Sequence, residues 1–120
     1  MTIEEYKKIK TPKYRNKKVE TADGKFDSIK EKNRYDELLL LEKDGIITDI
    51  RRQVKFELIP SQYDEYEGKV AERALSYIAD FVYIQNGERI VEDCKGYRTE
   101  TYKIKKKLML WIFGVKIREV

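Results

Sequence analysis

Two runs of β-branched and aromatic residues flank the dipeptide Asn86-Gly87 and give the clearest structural signal in the chain. Residues of high β-propensity dominate both runs, in residues 76–85 and 88–95, and such runs are typical of strands. An Asn-Gly pair between two such runs predicts a β-hairpin with a two-residue turn. Gln85 then faces Glu88, and in the same register Asp80 lies directly opposite Asp93. The pattern therefore predicts that one hairpin brings two carboxylates together.

A helical pattern precedes the hairpin, from about Ser28 to Lys43. Ser28 and Glu31 have the spacing of a capping box, with the serine as N-cap. Asp44-Gly45 provides the expected end of the helix. Because Glu31 and Leu38 are seven residues apart, Glu31 is predicted to border the buried face of this helix.

A second helix is predicted from about Glu100 to Phe113, with Gly114 as its C-terminal cap. Its apolar residues recur at helical spacing and predict the buried stripe, whereas three lysines share a different face. The predicted stripe is Ile104, Leu108 and Trp111, and the lysines are Lys103, Lys106 and Lys107.

The remaining segments predict strands and one loop. Residues 46–59 have the pattern of a long strand that ends before Pro60, and Val115–Val120 resembles a closing strand. The acidic stretch 61–69 predicts a mobile loop, and Val19–Thr21 a short strand. Strict alternation places Tyr77, Ala79, Phe81, Tyr83 and Ile90 on the hairpin face away from the aspartates. Since both hairpin faces are largely apolar, we expect helices on both sides of the sheet.

The predicted Asp80–Asp93 pair requires an explanation, because like charges directly opposite each other destabilise a sheet. A divalent cation provides one. The alternatives are a solvated sheet edge, or neutralisation by Lys95 alone, which shares the face of Asp93. The apolar neighbours on this face argue against a solvated edge.

Composition narrows the classes of function. The chain has 120 residues, enough for a single domain, with 41% hydrophobic and 40% charged residues, so we expect a soluble protein with a charged surface. A single cysteine excludes an internal disulfide, and the absence of histidine excludes His-based triads and the commonest zinc ligand. No apolar run predicts a membrane span, and the N-terminus lacks the pattern of a signal peptide. An enzyme with this composition would work with carboxylates, lysine and an oxygen-binding metal.

Charge is unevenly distributed along the chain. Residues 1–18 contain seven Lys or Arg against two Glu, and residues 98–107 contain five against one. Such clusters suit a polyanion, although ordinary solvated surface explains them equally well. We expect residues 1–24 to form a basic N-terminal arm, either a flexible tail or a nucleic-acid contact that includes Lys17 and Lys18. Residues 25–120 are expected to form one domain.

Asp80, followed on the next strand by Asp93-Cys94-Lys95, resembles the signature of the PD-(D/E)XK nuclease superfamily, with Ala79 in place of the usual proline. The order helix, three strands, helix, strand is also similar to the αβββαβ core of these restriction-endonuclease-like proteins. The resemblance implies an α/β fold with a mixed central sheet flanked by helices. The branch that the chain most resembles is a set of small phage-encoded proteins in recombination or genome processing.

This resemblance implies a Mg²⁺- or Mn²⁺-dependent endonuclease that hydrolyses DNA phosphodiester bonds. Asp80, Asp93 and Glu31 would hold the metal with the backbone carbonyl of Cys94, and Lys95 would act on the attacking water. Gln53 lies in the centre of its strand and could approach this site, although an ordinary surface position explains it better. DNA contacts are expected from Lys103, Lys106, Lys107, Lys17 and Lys18.

The resemblance also has implications for partners and location. We expect no membrane association, and a cytoplasmic location in a phage-infected or prophage-carrying bacterium. Nucleases of this size that cut both strands usually dimerise, so a homodimer is compatible with the resemblance. Two other classes stay open: a catalytically silent nucleic-acid-binding module of the same fold, and a structural phage protein. The intact Asp/Asp/Lys set argues against the first, and the basic clusters with the acidic centre argue against the second.

Overall fold

The computed structural model describes residues 19–21, 24–95 and 97–120. The predicted contacts of Lys17 and Lys18 lie outside these residues, as does most of the predicted arm. Within the described ranges the elements are β1 (Val19–Thr21), β2 (Gly24–Phe26), α1 (Ile29–Lys43), β3 (Thr48–Ile59), β4 (Gln62–Asp64), β5 (Lys69–Glu72), β6 (Leu75–Gln85), β7 (Glu88–Asp93), α2 (Glu100–Phe113) and β8 (Arg118–Glu119).

A four-stranded mixed sheet forms the centre of the described fold, in the order β3-β6-β7-β8. The first three strands are antiparallel, and β8 pairs with β7 in parallel. Val82 and Val91 pack in one apolar cluster with residues of α2, whereas Phe81 packs in a second cluster with Leu38 of α1. Because adjacent strand residues point to opposite faces, the two helices cover opposite faces of the sheet. The protein therefore has an α/β fold with a mixed sheet, as predicted.

The hairpin between β6 and β7 has the predicted register, with pairs from Gln85 and Glu88 to Phe81 and Glu92. Asn86 has φ +52° and Gly87 has φ +77°. Two successive positive φ angles are what a type I′ turn requires, and Asn and Gly tolerate them best. Asp80 and Asp93 adjoin the last pair of this ladder, Phe81 and Glu92.

Helix α1 begins close to the predicted residue and has a modified capping box. Ser28 is the N-cap, and its Oγ accepts a hydrogen bond from the Glu31 backbone N–H at 3.0 Å. In turn, the Glu31 carboxylate accepts a hydrogen bond from the backbone N–H of Asp27, one residue before the cap, at 3.2 Å. Glu31 is only 2% exposed, so the N-terminal turn of α1 holds a buried carboxylate.

Helix α2 has the predicted bounds, but of the predicted buried stripe only Leu108 packs against the core. Ile104 is 56% exposed and Trp111 is 86% exposed, whereas Tyr102 and Met109 are buried against the sheet. The helix is rotated because Tyr102 has partners on the sheet side: its ring packs near Tyr77, and its hydroxyl donates to a carboxylate oxygen of Glu119 at 3.0 Å.

Two further segments differ from the predictions. The expected loop at 61–69 contains a small hairpin, β4–β5, whose turn is closed by Asp64 Oδ1 accepting from the backbone N–H groups of Tyr66 and Glu67. Asp64 can accept these bonds locally, which is why an acidic, polar stretch folds back here. The closing strand is shorter than predicted, although Ile117 just before it is buried. In the described part of the chain, neither helix is both long and apolar enough to cross a membrane.

Candidate active site

The side chains of β3 and β6 exchange faces at Gln53 and Asp80. On the α1 side, the Arg52 guanidinium lies 3.7 Å from the centre of the Phe26 ring. Two residues later, Val54 packs in the α2 cluster, although strict alternation would keep it on the side of Arg52. Gln53 has φ +52°, a left-handed conformation that is unusual for a non-glycine strand residue.

The paired strand makes the same exchange. Ala79 and Tyr77 pack in the α2 cluster, whereas Phe81 and Tyr83 pack in the α1 cluster. The prediction that these four side chains share one face is therefore wrong, because alternation is interrupted at Asp80. Arg52 pairs with Phe81 and Val54 with Ala79, so Gln53 lies opposite Asp80 at this irregular point.

Gln53 connects two of the predicted site carboxylates. Its side-chain Nε2 donates to Glu31 Oε1 at 2.9 Å and to Asp80 Oδ1 at 3.4 Å. The other oxygen of Asp80 accepts from the backbone N–H of Cys94 at 2.8 Å. The structure therefore joins Glu31 on α1 to Asp80 on β6 through Gln53, which is exposed, as expected, and also contacts the site.

Asp93 is 1% exposed and has two unlike oxygens. Its Oδ2 accepts a hydrogen bond from the hydroxyl of Tyr77. Its Oδ1 lies 3.3 Å from Lys95 Nζ, within ion-pair distance, yet has no partner of hydrogen-bond geometry among the described residues. A buried acceptor in this state retains unused capacity to bind a donor or a cation.

Lys95 lies between Asp93 and helix α2. Its ammonium is 4.4 Å from the centre of the Tyr102 ring, within the distance of a cation–π contact. Its backbone carbonyl accepts from Lys30 Nζ at 3.3 Å. The side chain is 29% exposed, so the ammonium is held in place and accessible from solvent.

Burial and neighbouring carboxylates raise the pKa values of three groups in the site. Burial is the first cause that raises the pKa of Asp80 to about 7, and the adjacent Asp93 carboxylate raises it further. The pKa of Glu31 is also raised, by burial first and by the charge of Asp80 second. Burial and nearby carboxylates raise the pKa of Cys94 to about 12, so its thiol stays protonated and is no nucleophile.

Three of the predicted DNA-contacting lysines are on α2. Lys103 pairs with Glu100 at 3.1 Å, and Lys106 pairs with Glu119 at 2.9 Å, so both charges are partly neutralised. Lys107 is exposed. A fourth lysine of α2, Lys105, was not predicted from the sequence and lines a pocket together with Lys95. Only the rotation of α2 places it there, and no sequence signal distinguishes it from its neighbours.

Glu92 adjoins the site in sequence but belongs to the fold. It is fully buried on the α1 side, where it forms a two-bond ion pair with Arg34 and accepts from the Tyr83 hydroxyl. This arrangement uses both carboxylate oxygens, and Glu92 is therefore not available for chemistry.

The donor set suits a hard divalent cation, although it is not assembled into a complete metal site. Among the described residues, no three Asp, Glu or Cys side chains are grouped closely enough to hold a metal ion together. Asp80 and Asp93 supply facing carboxylates, and the Cys94 carbonyl is an additional oxygen. The unused Oδ1 of Asp93 is the observation that fits a cation, since carboxylate oxygens are preferred by Mg²⁺ and Mn²⁺.

Comparisons with known proteins place the chain in a family without assigning a chemistry. No curated protein and no solved structure matches the sequence significantly. One family model, described as "Protein of unknown function (DUF1064)", matches residues 11–120. That match covers nearly the whole chain and includes every candidate site residue named above. The chain therefore belongs to the DUF1064 family.

Proposed function

We propose that the protein is a Mg²⁺- or Mn²⁺-dependent endonuclease that hydrolyses DNA phosphodiester bonds. The observation that carries this proposal is the buried Asp93, whose Oδ1 is unused by hydrogen bonds, beside Lys95 and a second carboxylate, Asp80, of raised pKa. Perturbed carboxylates next to a lysine are typical of sites that perform chemistry.

The order of elements supports the proposal. Leaving aside the small hairpins β1–β2 and β4–β5, the chain runs α1, β3, β6, β7, α2, β8. This order agrees with the αβββαβ core expected from the resemblance to PD-(D/E)XK nucleases. The helices cover opposite faces of the sheet, and the candidate site lies where β6 and β7 end their pairing.

In this proposal, each site residue has a separate task. Asp80, Asp93 and the Cys94 carbonyl would hold the cation, with Glu31 adjoining through Gln53. The bound ion would supply a Lewis acid for the phosphate and lower the pKa of the attacking water. Lys95 would orient that water or accept its proton and offset negative charge in the transition state. Tyr77 fixes Asp93 so that Oδ1 faces Lys95.

The proposed setting follows from the resemblance. The substrate would be DNA in the cytoplasm of a bacterium that carries a phage or prophage, in recombination or genome processing. Cutting both strands would require two sites, which two copies of this chain would supply.

The test is a cleavage assay on linear, branched and single-stranded DNA with Mg²⁺, Mn²⁺, Ca²⁺ or EDTA. We expect cleavage with Mg²⁺ or Mn²⁺, none with EDTA, and none in Asp80→Ala, Asp93→Ala or Lys95→Ala. Glu57→Ala is a matched control, because this carboxylate is exposed on β3. Cleavage that persists in EDTA, or full activity in Asp93→Ala, would refute the two-carboxylate site.

A silent nucleic-acid-binding module is the second candidate, and one observation favours it. The Gln53 amide already bridges Glu31 and Asp80, and Lys95 already faces Asp93, so these charges have partners without a metal. DNA binding without cleavage on any substrate, in Mg²⁺ and in Mn²⁺, would favour this candidate over the enzyme.

A further inference from the structure

An open pocket of about 270 Å³ adjoins the candidate site on the α2 side of the sheet. It lies between the first residues of β6 and the N-terminal half of α2. The polar part of its lining consists of Ser76, Lys95, Thr99, Thr101 and Lys105. The volume corresponds to roughly nine water molecules at liquid density, which is enough for a tetrahedral anion and some solvent.

The lining of this pocket is cationic. Besides two tyrosines, whose hydroxyls donate to Asp93 and Glu119, it contains two lysines and three Ser or Thr hydroxyls, and no carboxylate is among the described residues that form it. Elsewhere on α2, Lys103 and Lys106 have carboxylate partners, whereas Lys105 forms no ion pair with the part of the chain that the structure describes. Its charge is therefore directed to the pocket without local compensation.

The hydroxyl groups are suitable donors. Thr99 Oγ accepts from the backbone N–H of Tyr102 at 3.0 Å, so its own proton is available to donate into the pocket. A phosphate oxygen accepts from hydroxyl and ammonium groups alike. Lys95 lines this pocket and also contacts Asp93, so an anion bound here would be next to the candidate centre.

We propose that this pocket binds a backbone phosphate of the nucleic acid, next to the phosphodiester at Asp80, Asp93 and Lys95, and that Lys105 provides the principal charge. The inference rests on the proposed function for the identity of its ligand. It assigns the substrate backbone a second point of attachment, which would fix the position of the chain relative to the cutting site.

The experiment compares DNA binding by wild type, Lys105→Ala, Lys105→Arg and Lys43→Ala in Ca²⁺ at several salt concentrations, by fluorescence anisotropy. Lys43 is an exposed lysine in the last turn of α1 and provides a control of equal charge. We expect Lys105→Ala to bind at least fivefold more weakly and to reduce the slope of log K against log salt by about 0.9. Lys105→Arg should retain most of the affinity, and Lys43→Ala should resemble wild type.

Amide chemical shifts locate the bound group. DNA should shift the amides of Thr101, Tyr102 and Ile78 in wild type but not in Lys105→Ala, and inorganic phosphate at millimolar concentration should move the same amides. Equal losses in Lys105→Ala and Lys43→Ala, or shifts with inorganic phosphate and none with DNA, would overturn the proposal. Neither measurement depends on DNA cleavage. A protein that binds the backbone phosphate in this way but never cuts DNA would therefore contradict only the proposed endonuclease activity.

Discussion

The hydroxyl of Tyr77 donates a hydrogen bond to Asp93, although strict alternation along β6 would put the two side chains on opposite faces of the sheet. The exchange of faces at Gln53 and Asp80 brings the hydroxyl to Asp93 Oδ2. Burial and the Asp93 carboxylate raise the pKa of Tyr77, so it remains a protonated donor. Its bond leaves Asp93 Oδ1 directed to Lys95, and Tyr77 is therefore a positioning residue for this carboxylate.

Tyr77→Phe removes only that hydroxyl and leaves a buried carboxylate without its hydrogen-bond donor. We expect the free energy of unfolding to fall by about 1–3 kcal/mol, the usual cost of an unsatisfied buried polar group. Urea denaturation measures the change. Tyr102→Phe is the matched control, because its hydroxyl donates to Glu119, a carboxylate that also contacts Lys106 and Arg98. Equal losses in the two variants would contradict a special role for Tyr77.

The raised pKa of Asp80 predicts how stability depends on pH without metal. The folded-state pKa of about 7 lies above the unfolded value of about 3.9, so between these pH values the folded protein binds more protons. This contribution to stability is complete below pH 4 and is lost as pH rises through 7. Each pH unit in that window corresponds to about 1.4 kcal/mol, so the loss is of the order of a few kcal/mol.

Asp80→Asn should remove this dependence, because an amide does not titrate. We expect the melting temperature of the metal-free wild type to fall relative to Asp80→Asn between pH 5 and pH 8, and Mg²⁺ to stabilise the wild type more at pH 8 than at pH 6. Thermal denaturation at each pH measures both effects. A wild type that gains stability over the variant as pH rises would show that Asp80 is held as a carboxylate by partners other than a cation.

The hairpin could be predicted from sequence because its determinants are local. Asn86-Gly87 selects the turn, and the turn fixes the register as far as Phe81 and Glu92, the neighbours of the two aspartates. The capping of α1 by Ser28 is local for the same reason. The buried face of α2 was not predictable, because it depends on contacts of Tyr102 with Tyr77 and Glu119, which are distant in sequence.

The role of Gln53 was not predictable from the sequence for a different reason. A period of two predicts the faces of a strand only while every residue has extended backbone. Gln53 has a positive φ, and nothing in the local sequence, such as a glycine, indicates that the alternation ends there. Because of this interruption, the predicted faces of Tyr77 and Ala79 were wrong, and the contact between Tyr77 and Asp93 was not predicted.

Arg34 and Glu92 provide a test of the fold that is independent of the chemistry. Arg34→Met would leave Glu92 charged, fully buried and without its main partner, and we expect a loss of about 3–5 kcal/mol in urea denaturation. The double variant Arg34→Met/Glu92→Met should recover much of it. DNA cleavage per folded molecule should not change, and selective loss of cleavage in the double variant would indicate that this ion pair also shapes the site.

Glu31 has two roles that one pair of variants separates. Glu31→Gln keeps an oxygen that can accept from the Asp27 backbone N–H, but it removes the negative charge that a hard cation favours. We expect a sharp fall in Mg²⁺-dependent cleavage and little change in melting temperature, because the lost acceptor for the Gln53 amide is offset by the removal of a buried charge beside Asp80. Ser28→Ala should cost about 0.5–2 kcal/mol of stability and spare most activity. Lost stability with normal cleavage in Glu31→Gln would limit Glu31 to capping.

The left-handed backbone at Gln53 predicts an unusual order of stability among variants. Gln53→Ala and Gln53→Gly both remove the amide that bridges Glu31 and Asp80, and both should weaken the metal-free protein because the two carboxylates lose a shared donor. Glycine adopts a φ of +52° without the steric cost that a Cβ imposes. We therefore expect Gln53→Gly to exceed Gln53→Ala in unfolding free energy by about 1 kcal/mol, the typical cost of a left-handed non-glycine residue.

Lys55→Ala and Lys55→Gly supply the control. Lys55 is exposed on the same strand and is not among the residues with positive φ, so we expect the alanine variant to be the more stable of the two. The same order at both positions in urea denaturation would show that the backbone at Gln53 is extended in solution and that the exchange of faces has another cause.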